Sequence, residues 1–198
     1  MKCFGRMFLL IYRSAVRLRC KCFSLLISRG FAHFGRNTVL ETPLRIRGEE
    51  RISVGDGVFI GAGSWLQVST DIDTPSIAIS IGNGASIAGM CVISAVRSVR
   101  VEDNVLLARN VYISDHIHKY CLEDTPVLAQ GVDKVAPVLI KYGAWLGQNV
   151  VVCPGVIIGA GAVIGANSVV TQDIPDRCVA VGAPARVVKT VEAVAVRK

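Results

Sequence analysis

No aspartate or glutamate occurs in the first 40 residues, a stretch that holds eight of the chain's 22 Lys and Arg. The rest of the chain carries 14 basic against 15 acidic residues and is almost neutral. The net charge of +7 therefore belongs to an N-terminal arm, and the body lacks the basic surface of a nucleic-acid-binding protein. Aromatic residues make up only 6%, which points to a narrow aliphatic core. Seven cysteines, at positions 3, 20, 22, 91, 121, 153 and 178, form no Cys-x-x-Cys pair. That leaves a zinc site without its usual spacing and suits the reduced thiols of a cytosolic protein. Histidine occurs only three times, as His33, His116 and His118. The longest apolar run of the arm, Met7 to Ile11, is too short for a membrane span or for the hydrophobic region of a signal peptide.

What is present is a period of six. Ile140, Leu146, Val152, Ile158, Ile164 and Val170 recur at that spacing, and four residues after each stands Ala144, Val150, Val156, Ala162, Ser168 or Ile174. Turn formers fill the intervals, as in Gly147, Pro154-Gly155, Gly159, Gly161, Gly165 and Ala166-Asn167. Six is neither the 3.6 of a helix nor the simple alternation of one long strand. It suits a chain that makes a short strand, turns a corner and repeats, so that stacked coils enclose a column of aliphatic side chains. The same grammar runs earlier with interruptions, from Val54-Gly55 through Ile60, Ile81, Ile87, Ile93, Val101, Leu107 and Ile113. The breaks at 67–80, 95–100 and 115–139 are expected to be register shifts or loops leaving the coil. Cys91 falls on an inward position and reads as a small buried hydrophobe.

This pattern resembles the hexapeptide-repeat acyltransferases. The resemblance covers about residues 50 to 190 and implies an all-β solenoid: a left-handed parallel β-helix with three hexapeptides per coil, assembled as a homotrimer. The expected organisation is an arm over 1–40 and a β-helix over 41–198, with a loop at 115–139 and a C-terminal extension.

On a helix, Phe4, Phe8, Ile11, Ala15, Leu18, Cys22 and Leu26 share one stripe of the arm, while Lys2, Arg6, Arg13, Arg17 and Lys21 share the opposite face. Such a basic amphipathic helix can lie in an anionic membrane interface. Its stripe can equally pack on the coils or on a neighbouring subunit and cover the open end of the solenoid.

Chemistry is expected where the repeat breaks. Ser114-Asp115-His116-Ile117-His118 opens a loop of some twenty residues and holds two of the three histidines. Histidine is the natural base for removing a proton from a hydroxyl or amine at neutral pH. The run resembles the active-site segment of the maltose, galactoside and polysaccharide acetyltransferase branch. On that resemblance His116 takes the place of the catalytic histidine, and His118 is the second histidine of the run, on the substrate side. Asp115 could orient the imidazole, bind an acceptor hydroxyl or stabilise a turn. His33 reads as a surface or capping residue.

The resemblance also implies acetyl-CoA as donor and no metal. Trp145, expected to point outward, would lie beside donor and acceptor in a cleft between subunits, and Trp65 would stand on the acceptor side. Ala166 and Thr171 would line the donor cleft, and Arg186 and Lys189 would meet the coenzyme phosphates. Gln172 stands where some relatives carry a lysine. Ala88-Gly89-Met90-Cys91 offers no polar side chain where some sugar acetyltransferases carry an asparagine, and the extended N-terminal domain of the maltose and galactoside enzymes is missing. The layout looks more like O-acetyltransferases of O-antigen, lipopolysaccharide or capsule assembly, acting in the cytoplasm or at the inner face of the membrane on a sugar or glycan acceptor. N-acetylation of an amino sugar, a zinc carbonic anhydrase and a non-catalytic solenoid are the alternatives.

Overall fold

The computed structural model describes residues 2–69 and 75–192. Part of the break expected at 67–80, the last residues of the C-terminal extension (193–198) and the side chains of Lys2 and Cys3 lie outside the described residues. Each six-residue repeat forms a strand of two to four residues and a corner, and three repeats close one coil. The coils open on His33–Phe34, Ile52–Val54, Ile79–Ile81, Val99–Val101, Val138–Ile140 and Ile157–Ile158. Three parallel sheets result, here called the first, second and third faces. The first and third have six strands, and the second has eight. In the regular C-terminal coils the register is 18 residues, pairing Leu139 with Ile157 and Trp145 with Val163.

The two rows of the repeat explain each other. Ala144 and Leu146 stand two apart, as do Val150 and Val152, so strand alternation sends both inward. All the residues of both rows, from Ile140 to Ile174, are buried, and Cys91 is buried in the same column. Burying each large aliphatic side chain contributes about 1.5–3 kcal/mol. One corner carries an asparagine ladder. Asn110 donates from Nδ2 to Asn149 Oδ1 at 2.9 Å, and Asn149 donates from Nδ2 to Asn167 Oδ1 at 2.8 Å, all three with positive φ. One coil earlier the same corner holds Met90, at φ 54°.

The solenoid begins before residue 41. Phe34, Leu40 and Ile46 carry the six-residue spacing in the first coil, where Leu40 is fully buried and the other two pack against the core. The arm is one helix, α1 (Lys2–Ile27), followed by a 3-10 turn over Ser28–Gly30. Its sequence holds five Leu, four Arg and two Lys, which favour helix, and contains one glycine and no proline.

The residues of α1 that cover the first coil are not those of the expected stripe. Cys20 and Ser24 are buried, and Phe23 and Ile27 pack on the core. Ser24 Oγ accepts the Leu40 amide at 2.8 Å and donates to the Cys20 carbonyl at 2.7 Å. Phe4, Phe8, Ile11, Ala15, Leu18, Cys22 and Leu26 stay exposed in the single chain. The reason is that only the last two turns of the helix reach the coils, and there the side that meets them is set by Leu40 and its unpaired edge amide. No helix among the described residues is long and apolar enough to cross a membrane.

At the other end, the second face continues into an antiparallel pair, Cys178–Gly182 with Ala185–Thr190. The loop between the fourth and fifth coils folds as a short antiparallel pair, Ile117–His118 with Val132–Asp133, and a 3-10 turn at Val127–Ala129.

Candidate active site

Where the fourth coil ends, Tyr112–Ser114 runs out of the third face and the chain turns into the loop. Asp115 is fully buried at that turn. Its Oδ2 accepts backbone amides from Arg97 and Ser98, each at 2.7 Å, and its Oδ1 accepts that of Val96 at 2.9 Å. The break expected at 95–100 is thus a tight turn whose amides converge on one carboxylate. Oδ1 also receives His116 Nδ1 at 2.8 Å. Burial alone would raise the Asp115 carboxyl. The bond from His116 and the three amides outweigh it and hold the carboxyl below the usual carboxylate range. A carboxylate so surrounded is an acceptor only, so Nδ1 carries a proton and Nε2 of the neutral ring is left as the acceptor. Asp115 has no exposed surface with which to meet an acceptor hydroxyl. Of the roles open to it, orienting the imidazole and stabilising the turn are what the geometry supports.

Ser114, also buried, braces the same ring. Its hydroxyl donates to the His116 carbonyl at 2.9 Å and lies 3.3 Å from both the His116 amide nitrogen and Nδ1. The His116 side chain is 12% exposed, enough to reach a cavity of about 650 Å³ on the third face. Trp65, Gln67, Ser94, Tyr112 and His118 line that cavity with it. His118 is exposed and belongs to the antiparallel pair that walls one side. The loop therefore covers part of the third face.

The structure brings His116, Asp115, His118 and Trp65 together. Trp145 is on the second face between Leu106 and Val163, 48% exposed, and does not reach this cavity within one chain. Ala166 lies at the corner between the second and third faces of the last coil, and Thr171 follows the third face of that coil; both are exposed. Arg186 and Lys189 are exposed on the outer strand Ala185–Thr190. Arg186 Nη1 donates to the Ala185 carbonyl at 2.9 Å. His33 is exposed in the first strand.

Several site residues were not legible in the sequence. Ser94 and Gln67 supply polar side chains where Ala88 to Cys91 offered none, because they stand on the strands and not at the corner. Cys153 also lines the cavity. Burial pushes its thiol up, so it is not poised as a nucleophile. Among the described residues no three His, Cys, Asp or Glu side chains are grouped to hold a metal ion.

Comparison with known proteins agrees with this architecture. The family model "Bacterial transferase hexapeptide (six repeats)" matches residues 138–172. Over 163 residues the chain is 31% identical to WbbJ of Escherichia coli K12, described as a lipopolysaccharide biosynthesis O-acetyl transferase, covering 79% of this chain and 81% of that one. The chain belongs to the hexapeptide-repeat acetyltransferases. It is also 32% identical to the galactoside O-acetyltransferase of the same organism over 166 residues, 84% of this chain and 67% of that one. Among solved structures, a point mutant of AntD, an N-acyltransferase from Bacillus cereus, crystallised with dTDP and coenzyme A, superposes with a TM-score of 0.73 at 22% identity. The match covers 85% of this chain and 89% of AntD. At that identity the likeness is one of fold, the left-handed β-helix of this family.

Proposed function

We propose that the chain is a coenzyme-A-dependent O-acetyltransferase acting on a sugar hydroxyl of a surface-polysaccharide precursor. The observation that carries this reading is the His116 imidazole, fixed through Nδ1 by buried Asp115 and lining the third-face cavity with Nε2 free to accept a proton. In the proposed step Nε2 takes the acceptor's proton while the hydroxyl oxygen attacks the acetyl thioester carbonyl. A backbone N–H at the cleft stabilises the tetrahedral oxyanion. The carbon–sulfur bond then breaks, and the proton passes from His116 to the departing thiolate, giving coenzyme A and the acetyl ester. No acyl-enzyme forms. Cys121 is exposed on the loop, and Cys153 is held as a neutral thiol.

Trp65 and His118 flank the acceptor in this reading. Trp145, Ala166, Thr171, Arg186 and Lys189 serve the donor. Because Trp145 occupies a different face from His116, a homotrimer is needed in which the second face of one subunit completes the cavity of the next. The exposed apolar stripe of α1, in an arm without acidic residues, holds the trimer against the anionic cytoplasmic leaflet. Transfer to oxygen is favoured over transfer to nitrogen because WbbJ and the galactoside enzyme, the two relatives compared above, are described as O-acetyltransferases. The experiment is a screen for coenzyme A thiol release from acetyl-CoA against nucleotide sugars and lipid-linked glycans. Release with amino sugars alone would make the chain an N-acetyltransferase, and release with no acceptor would leave a binding solenoid.

A further inference from the structure

The third face carries two outward rows of side chains along the solenoid, and both end in arginine. Strand pairing aligns Arg45 with Trp65, Trp65 with Val92, and Val92 with Tyr112. Beside that apolar row it aligns Arg47 with Gln67, Gln67 with Ser94, and Ser94 with Ser114. The second row is polar throughout, and its last member braces His116. Gln67, Ser94 and Ser114 line the same cavity as His116. Strands in a sheet lie about 4.8 Å apart, so three steps put the Arg47 register about 14 Å from that of Ser114.

We infer that Arg45 and Arg47 form an anion subsite for a phosphate or diphosphate carried by the acceptor. Its glycan lies along Gln67 and Ser94, with the reacting hydroxyl at His116. The Arg45 guanidinium sits 4.3 Å over the Trp65 ring. Stacking fixes the plane of the fork while leaving its N–H edge available to phosphate oxygens, which it matches in geometry. Arg47 is exposed and has no acidic partner among the described residues. A second guanidinium two residues along one strand projects from the same side of the sheet. A neutral sugar would leave both cations unused at the far end of an otherwise polar track, whereas a diphosphate behind the sugar engages both. The first coil, which holds the pair, is also the coil covered by α1, so the basic arm adds to the positive potential at this end.

This assignment rests on the proposed function for its direction along the face, but its test does not need acetyl transfer. Inorganic pyrophosphate is titrated calorimetrically into the full-length protein, with coenzyme A at saturation so that the donor's own phosphate contacts are filled. Arg45→Gln and Arg47→Gln should each weaken binding about tenfold, as expected for loss of a charged hydrogen-bond donor. Arg100→Gln, on the exposed first face, removes the same charge and should leave the affinity within about twofold. Absence of pyrophosphate binding, or equal weakening by all three variants, would overturn the subsite. UDP and farnesyl diphosphate in neutral phosphatidylcholine vesicles then compete against pyrophosphate. Displacement by UDP identifies a nucleotide-linked acceptor, displacement by the vesicles a lipid-linked one, and displacement by neither overturns the assignment. Arginine-dependent binding together with no acetyl transfer to any acceptor would keep the subsite and reject the proposed function.

Discussion

Asp115 and His116 are adjacent in the chain, yet their side chains meet, with Nδ1 of the imidazole 2.8 Å from Oδ1 of a carboxylate that has no exposed surface. Neighbours on a regular strand point to opposite faces, so this contact requires the chain to leave the sheet between them. It does so because the amides of Val96, Arg97 and Ser98, in the turn of the preceding coil, hold the carboxylate inward. The carboxylate thereby has two tasks, closing a turn and aligning the imidazole.

Asp115→Asn separates those tasks from simple loss of a side chain. An amide keeps the shape but can present an N–H where an acceptor is needed, which leaves an amide of the turn or His116 Nδ1 unpaired and releases the ring tautomer. The turnover number should fall by about 10²-fold or more with little change in donor KM, and stability by about 1–3 kcal/mol at neutral pH. The sign with pH follows from the depressed carboxyl. Its folded-state value lies below the ordinary value of about 3.9, so its contribution is complete above that value and is lost as pH falls through the folded-state value. Unfolding midpoints across pH 2 to 7 should therefore converge for wild type and Asp115→Asn at the acid end. A constant gap over that range would contradict the buried charged acceptor.

His116→Ala should lower the turnover number by about 10²–10⁴, the usual contribution of a general base. Donor affinity and assembly should change little, since the ring lines a cavity and not the aliphatic column. His118→Ala, an exposed residue on the wall, should be much milder. Steady-state kinetics of the two variants decides between them. The reverse ranking would move the base to His118, and full activity in both would end general-base transfer at this loop.

The fold was legible because the period of six is written in residues whose only task is packing. Ile140, Leu146 and Val152 would be buried in any coil, and no competing reading fits their spacing. The first coil was hidden although Phe34, Leu40 and Ile46 keep the period, because Arg45 and Arg47 flank Ile46 and no glycine follows Leu40. The proposed base stood out because histidine is rare here. Its support was not: Val96, Arg97 and Ser98 act through backbone amides, which carry no residue signature. Gln67 and Ser94 became site residues only through strand register, and the breaks between coils make that register 27 residues in one place and 20 in another. The arm's helix was readable, but not which of its sides meets the coils, since Leu40's edge amide selects Ser24.

Two truncations distinguish the parts of α1. Removing residues 1–19 deletes most of the exposed stripe and keeps Cys20, Phe23, Ser24 and Ile27 on the first coil. Cosedimentation with anionic vesicles should be lost while the unfolding temperature stays within about 2 °C. Removing residues 1–27 also exposes the first coil and frees the Leu40 amide, and should lower that temperature by several degrees or cause aggregation. Vesicle binding that survives the shorter truncation would reject the membrane role.

Met90→Asn should stabilise the protein. A methionine at φ 54° occupies a left-handed conformation that asparagine tolerates better. The new amide would also extend the ladder toward Asn110. A gain of about 1 kcal/mol in denaturant midpoint analysis is expected. Destabilisation would mean that the contact of Arg109 Nη2 with the Met90 sulfur, at 3.2 Å, matters more than backbone strain.

The placement of Trp145 on the second face and His116 at the edge of the third makes the shared-cleft proposal testable without a structure of the assembly. Trp145→Ala alone should raise the acetyl-CoA KM, and His116→Ala alone should lower turnover by about 10²–10⁴. In a heterologous ring each site takes its base from one subunit and its tryptophan from the next. When the two variants are unfolded together in equal amounts and refolded, about one site in four combines an intact His116 with an intact Trp145. Activity at low acetyl-CoA should then rise toward about a quarter of the wild-type value, well above the mean of the separately refolded variants. If both residues served the same site from one chain, mixing could never restore a complete site, and the mixture would show only that mean. Cross-linking before mixing supplies the control, because locked homotrimers cannot exchange and should gain nothing.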